Sequence, residues 1–155
     1  MEHDVPHSLV RTLGAIPTFA PLDEEDLLVI VGESMNLFWK QNSRIFEQGT
    51  PGDALYVILS GNIAIHDGDS LEGHVVAELG SGDYFGELSL LLNTTHSRTA
   101  TALSDCELLV LPKEAFVELL RTTPKLNAHF EQVLEEGGHR TLIGATRTTR
   151  RVTVR

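Results

Sequence analysis

Hydrophobic and polar positions divide this chain into three zones. The first is helical: Ser8 to Leu13 reads as a short helix ended by Gly14, followed by a connector from Ile16 to Pro21. Asp23 then caps Glu24 to Val31, with acids in the first turn, apolar Leu27, Leu28, Ile30 and Val31 behind them, and Gly32 as the stop. The second zone, residues 35 to 111, breaks into short apolar runs separated by Gly, Asn and Asp. These predict strands at Met35–Trp39, Arg44–Glu47, Leu55–Ser60, Asn62–His66, His74–Leu79, Thr99–Leu103 and Leu108–Leu111. Ile63 and Ile65 alternate cleanly, Asp67-Gly68-Asp69 marks a hairpin tip, and Gly49, Gly52 and Gly61 read as turn residues. Many short strands at this spacing imply a sandwich or barrel, interrupted only by a helical turn or two at Glu87 to Leu92. In the third zone Pro112 opens a helix through Leu120, with Phe116, Leu119 and Leu120 on one face. Pro124 opens another, with Leu126, Phe130, Val133 and Leu134 at helical spacing.

Composition narrows the class. At 155 residues and 41% hydrophobic content the chain is expected to form one domain with a real core. No apolar run approaches the length of a membrane span, and the acidic start Met1-Glu2-His3-Asp4 lacks a signal core. The single cysteine, Cys106, has no partner for an internal disulfide, which fits a cytoplasmic location. Standing just ahead of Leu108 to Leu111, it reads as a buried structural thiol. The net charge is −10, unevenly placed: from His139 onward there are five arginines and no acid. The acidic body repels nucleic acid, so direct DNA binding by this chain is not expected. The basic tail reads as a solvated terminus or as lying against its own acidic body.

The chemistry concentrates between Phe85 and Ala102. Gly86 leaves the backbone open to close approach. The free N–H groups at the start of the helix after it suit an anion. Arg98, on the returning chain, is a forked cation matched to phosphate oxygens. Glu87 only accepts hydrogen bonds, so beside a phosphate it must serve another group, and a ribose hydroxyl is the natural one. Taken singly, the Glu would be a helix-dipole partner and the Arg a surface charge. Together, with Gly before them and small Thr99, Ala100 and Thr101 after, they form a ligand site.

The stretch resembles the phosphate-binding cassette of cyclic nucleotide-binding domains, through Phe85, Gly86, Glu87, Leu88, Leu90, Arg98, Ala100 and Ala102. It departs in the loop Asn93 to Ser97, which lacks the Pro that often precedes the Arg. A second block also matches: Ile45 to Gly49, Gly52-Asp53, Tyr56 to Ile58 and Gly61. The resemblance covers residues 8 to 136, leaving 137 to 155 as a basic tail or the end of a lid helix. It implies a mainly β fold, a jelly-roll-like β-roll (a double-stranded β-helix) with helices before it and hinge and lid helices after it. It implies a non-catalytic sensor of cyclic AMP (cAMP), or of cyclic GMP (cGMP). Glu87 would hold the ribose 2′-hydroxyl and Arg98 the cyclic phosphate. The N–H groups around Gly86, Leu88 and Ser89, next to Phe85, would cradle the sugar phosphate. Thr99 would offer a hydroxyl to phosphate or base, and Arg140 or Thr141 would stand near the purine if the lid continues that far. Gly137-Gly138 argues against such continuation, since each Gly costs about 1 kcal/mol relative to Ala inside a helix. The lid is therefore expected to end at Glu136, to kink, or to form only over a bound ligand.

Other chemistries find little support. The seven histidines are scattered, without a His-x-His or His-Glu-x-x-His pair, and no Ser/His/Asp set emerges. One cysteine does not hold an iron–sulfur cluster. His96, next to Ser97-Arg98, reads as a loop residue, at most a bystander at the phosphate pocket. No enzyme is expected. The module would act through an unidentified effector protein or a fused domain, with a homodimer as a further expectation. A different class is an interaction module that keeps the fold and has lost the nucleotide, against which Glu87 and Arg98 stand. A DNA-binding regulator is disfavoured because little chain follows the lid.

Overall fold

The computed structural model describes residues 4–68, 71 and 74–142. Two helices open the chain, α1 (Asp4–Gly14) and α2 (Glu24–Glu33). Asp23 caps α2 as expected, its carboxylate accepting from the Asp26 N–H at 2.9 Å. Gly32 does not stop this helix. Leu27, Ile30 and Val31 bury one face, and the helix runs on to Glu33 and is capped at Ser34, whose hydroxyl donates to the Ile30 carbonyl at 2.6 Å.

Among the described residues eight strands follow in two four-stranded antiparallel sheets: β1 (Met35–Trp39), β2 (Arg44–Phe46), β3 (Ala54–Ser60), β4 (Ile63–His66), β5 (Val75–Leu79), β6 (Tyr84–Phe85), β7 (Thr99–Ala102) and β8 (Cys106–Pro112). One sheet runs β1-β8-β3-β6 and the other β2-β7-β4-β5, the β-roll expected from the sequence, with sheets that do not close into a barrel. Seven strands were legible in the pattern. The two-residue β6, paired with β3 through Tyr56↔Phe85 and Val57↔Tyr84, was not. Between β6 and β7 lies α3 (Glu87–Leu92), and α4 (Lys113–Thr122) and α5 (Pro124–Leu142) end the described fold. Pro112 is the last residue of β8 and stands just outside α4 rather than in its first turn.

The core has two compartments, and β3 and β8 wall both. Tyr56, Ile58, Leu108 and Val110 face the other sheet, packing with Ile63, Ile65, Phe85 and Ala100. Leu55, Val57, Leu109 and Leu111 face the helices, against Leu13, Phe19, Phe116 and Phe130. Burial on both faces is why β3 and β8 read as continuous apolar runs. Cys106 is buried, its thiol donating to the Asn62 and Ser104 carbonyls, and burial pushes its pKa up, so it is a structural thiol. The helix α5 does not end at Glu136: it crosses Gly137-Gly138 and continues to Leu142. The arginine-rich residues 143–155 and the tip residue Asp69 lie outside the described residues.

Candidate functional site

A sharp reversal of backbone opens the cassette. Gly86 caps α3 at φ +90°, and a Cβ there would stand 3.0 Å from both the Ala54 carbonyl and the Tyr56 ring. Glycine is therefore required by conformation and packing, beyond any ligand's need for space. The helix ends at Asn93, also left-handed at φ 56°, whose side chain accepts from the Lys113 ammonium at 2.6 Å. The loop after it is laced to the segment before β3. The Gly52 N–H donates to the Thr94 carbonyl, the His96 N–H to the Thr50 carbonyl, and the Gly49 N–H to the His96 carbonyl. Gly52 is a contact rather than a turn: a Cβ there would fall 2.3 Å from Ser89 Cβ. These bonds tie the two matched sequence blocks into one structural unit.

The cleft beside α3 is narrow, about 10 Å³. Gly86, Ser89, His96, Ser97 and Arg98 line its polar side. Phe46, Ile65 and Phe85 line the other. Arg98, with its side chain 22% exposed, donates from Nε to Asp67 Oδ1 at 2.6 Å. Asp67 in turn meets His74 Nδ1 at 3.3 Å. The hairpin after β4 thus orients the guanidinium at the cleft edge.

His96 is deeply placed, 3% exposed. Its ring stacks on Phe46 at 3.5 Å between centroids and 4° between planes, and Nδ1 lies 2.8 Å from Ser89 Oγ. Burial lowers its pKa from the ordinary value, partly opposed by the Asp53 carboxylate. On the far side of the cassette the Tyr84 hydroxyl meets His129 Nε2 of α5 at 3.0 Å, joining β6 to the last helix.

Of the residues expected in the site, Phe85, Gly86, Ser89 and Arg98 meet at the cleft. Glu87 is wholly buried in the first turn of α3, and Leu88 is half-buried beside it. The buried Thr99 hydroxyl accepts from the Gln48 N–H at 3.0 Å. Glu87, Leu88 and Thr99 adjoin lining residues in the chain but do not themselves line the cleft. Thr141 falls in the last turn of α5, and its side chain lies outside the described residues. His96, expected only as a bystander at the pocket, lines the cleft, and its stack with Phe46 joins residues far apart in the chain.

A family model, the cyclic nucleotide-binding domain, matches residues 37–123. The chain is 36% identical over 116 residues to the cyclic AMP receptor protein of Thermus thermophilus, an overlap covering 73% of this chain and 52% of that protein. It is 31% identical over 114 residues to an uncharacterized NTE family protein of Mycobacterium tuberculosis, covering 73% of this chain and 19% of the other. The crystal structure of the Thermus thermophilus catabolite activator protein matches with a TM-score of 0.71 at 31% identity, over 82% of this chain and 60% of that one. The chain thus spans about half the length of the first relative and about a fifth of the second.

Proposed function

We propose, since this chain belongs to the cyclic nucleotide-binding domain family, that the cleft beside α3 binds a cyclic purine nucleotide and does not turn it over. In this reading Arg98 pairs with the cyclic phosphate, and Glu87 accepts from the ribose 2′-hydroxyl. The N–H groups of the Gly86 to Ser89 turn face the sugar phosphate, and Thr99 retains a hydroxyl hydrogen to donate. The observation that carries the reading is the placement of Arg98 on one cleft with Gly86 and Ser89, the residues on either side of Glu87-Leu88. Because the cleft is only about 10 Å³, the ligand must open it, and Arg98 must share or leave Asp67. Hydrogen bonds to charged groups contribute about 1.5–3 kcal/mol each, so two or three with base stacking support micromolar affinity. Cyclic AMP is the favoured ligand, in line with the name of the Thermus relative. The occupied module would signal through a partner protein or a fused domain.

Calorimetric titration with cyclic AMP and cyclic GMP tests this directly. Saturable one-to-one binding of either, at micromolar concentration, is the expected result. No heat from either with a cooperatively folded sample would leave an interaction module that has kept the roll and lost the nucleotide.

A further inference from the structure

Resting on that reading of the cleft, we propose that His96 is an additional phosphate-side residue, and that this chain takes up a proton on His96 when the anionic nucleotide binds. Three observations carry it. The ring lines the same cleft as Arg98, although it stands in the loop where the chain departs from the cassette pattern. It is held rather than loose, fixed by the Phe46 stack on its face and by Ser89 Oγ at Nδ1. And Nε2, buried with the ring, has no hydrogen-bond partner among the described residues. A buried polar nitrogen without a partner is costly, so a site that leaves one there has a reason to be filled.

The chemistry follows from charge. Free of ligand, the ring is held neutral by desolvation. A cyclic phosphodiester brings a fixed negative charge to the mouth of the cleft, which favours the imidazolium. Ser89 Oγ can accept from Nδ1–H in that form, leaving Nε2–H to donate to a phosphate oxygen. Asp53 ahead of β3 acts on the ring, Arg98 just before β7 lines the same cleft, Tyr56 of β3 packs on Phe46, the ring's stacking partner, and Glu87 stands in α3 two residues before Ser89. Behind Arg98 stand Asp67 and His74. Asp53 favours the charged ring against the desolvation that opposes it.

With the pKa of His96 higher in the complex than in the free protein, affinity rises as pH falls through the bound-state value and levels off below the free-state value. The steepest slope is about tenfold in Kd per pH unit. The test is calorimetry with cyclic AMP from pH 8 to pH 5.5, in buffers of different ionisation enthalpy. Wild type should bind at least about fivefold more tightly at the acid end, with net proton uptake. In His96→Gln, checked for folding by circular dichroism, the ratio should shrink to within about twofold. His74→Gln is the companion variant, because His74 reaches Arg98 through Asp67. A pH slope that persists in His96→Gln and vanishes in His74→Gln overturns the proposal, as does pH-independent binding by wild type. If His96→Gln does not fold, the His96 ring resonances of wild type, titrated with and without cyclic AMP, decide the question. An unchanged His96 pKa on saturation refutes it. Absence of binding at every pH would instead strike the reading of the cleft itself.

Discussion

In the proposed site Arg98 would serve binding without carrying the fold. Its partly exposed pair with Asp67 contributes only about 1 kcal/mol or less to stability, because solvent screens it. The same guanidinium facing a phosphate in a closed cleft matters far more, since its removal leaves a desolvated charge unpaired. Arg98→Ala should therefore cost about 3–5 kcal/mol in cyclic nucleotide binding, two orders of magnitude or more in Kd. Its denaturation midpoint should stay close to that of wild type. Wild-type affinity in the folded variant would remove Arg98 from the site. That Gly86 and Arg98 would meet on one cleft was legible because they stand near each other in the chain. His96 was not, because its surroundings come from Phe46 on β2 and Ser89 on α3, and no spacing rule joins those positions.

At the level of elements, the same chemical change is expected to act with opposite sign at two glycines. Gly32 lies inside α2, and a Cβ there meets nothing within 4 Å. Gly32→Ala should stabilise the protein by about 0.5–1 kcal/mol, through the lower entropy of the unfolded chain and better helix propensity. Gly52 lies against α3, where a Cβ would stand 3.1 Å from the Ser89 carbonyl carbon as well as 2.3 Å from its Cβ. Neither atom is the end of a flexible side chain, so Gly52→Ala must push α3 away from the segment before β3. A cost of about 1–3 kcal/mol is expected, with weaker nucleotide binding because Ser89 and its partner His96 move with the helix. Urea midpoints of the two variants check both signs. Sequence pattern gave Gly32 as a stop and Gly52 as a turn; the outcome at each was decided by tertiary packing. The two-residue β6 escaped notice for a related reason: it is too short to show a period, and its identity comes from pairing with β3.

For the whole molecule, the strand runs predicted a sandwich or barrel but not the order of strands within it, which depends on crossovers that no local signal encodes. The roll itself came from the family resemblance. One consequence of packing that roll against helices is that His96 and His129 are both withdrawn from water, and burial lowers the pKa of each. Asp53 and Glu136 respectively oppose the shift without reversing it. A histidine with a lower pKa folded than unfolded binds fewer protons in the native state. Its contribution is complete above the unfolded value of 6.5 and is lost as pH falls through that value toward the folded one. A second effect runs the other way, since a chain of net charge −10 and pI about 5.0 sheds self-repulsion as it is acidified. Comparison of variants separates the two. His129→Gln keeps an acceptor for the Tyr84 hydroxyl and removes one titrating group while leaving the rest of the charge untouched. Between pH 7.5 and pH 5.5 its urea midpoint should therefore fall less, or rise more, than that of wild type. Saturating cyclic AMP should have a related effect on wild type, because a complex that binds a proton at His96 gains stability relative to the free protein as pH falls. Identical pH profiles for wild type and His129→Gln would mean that His129 binds protons alike in the folded and unfolded chain, and that its contact with Tyr84 is a surface pairing rather than part of the link between α5 and the cassette.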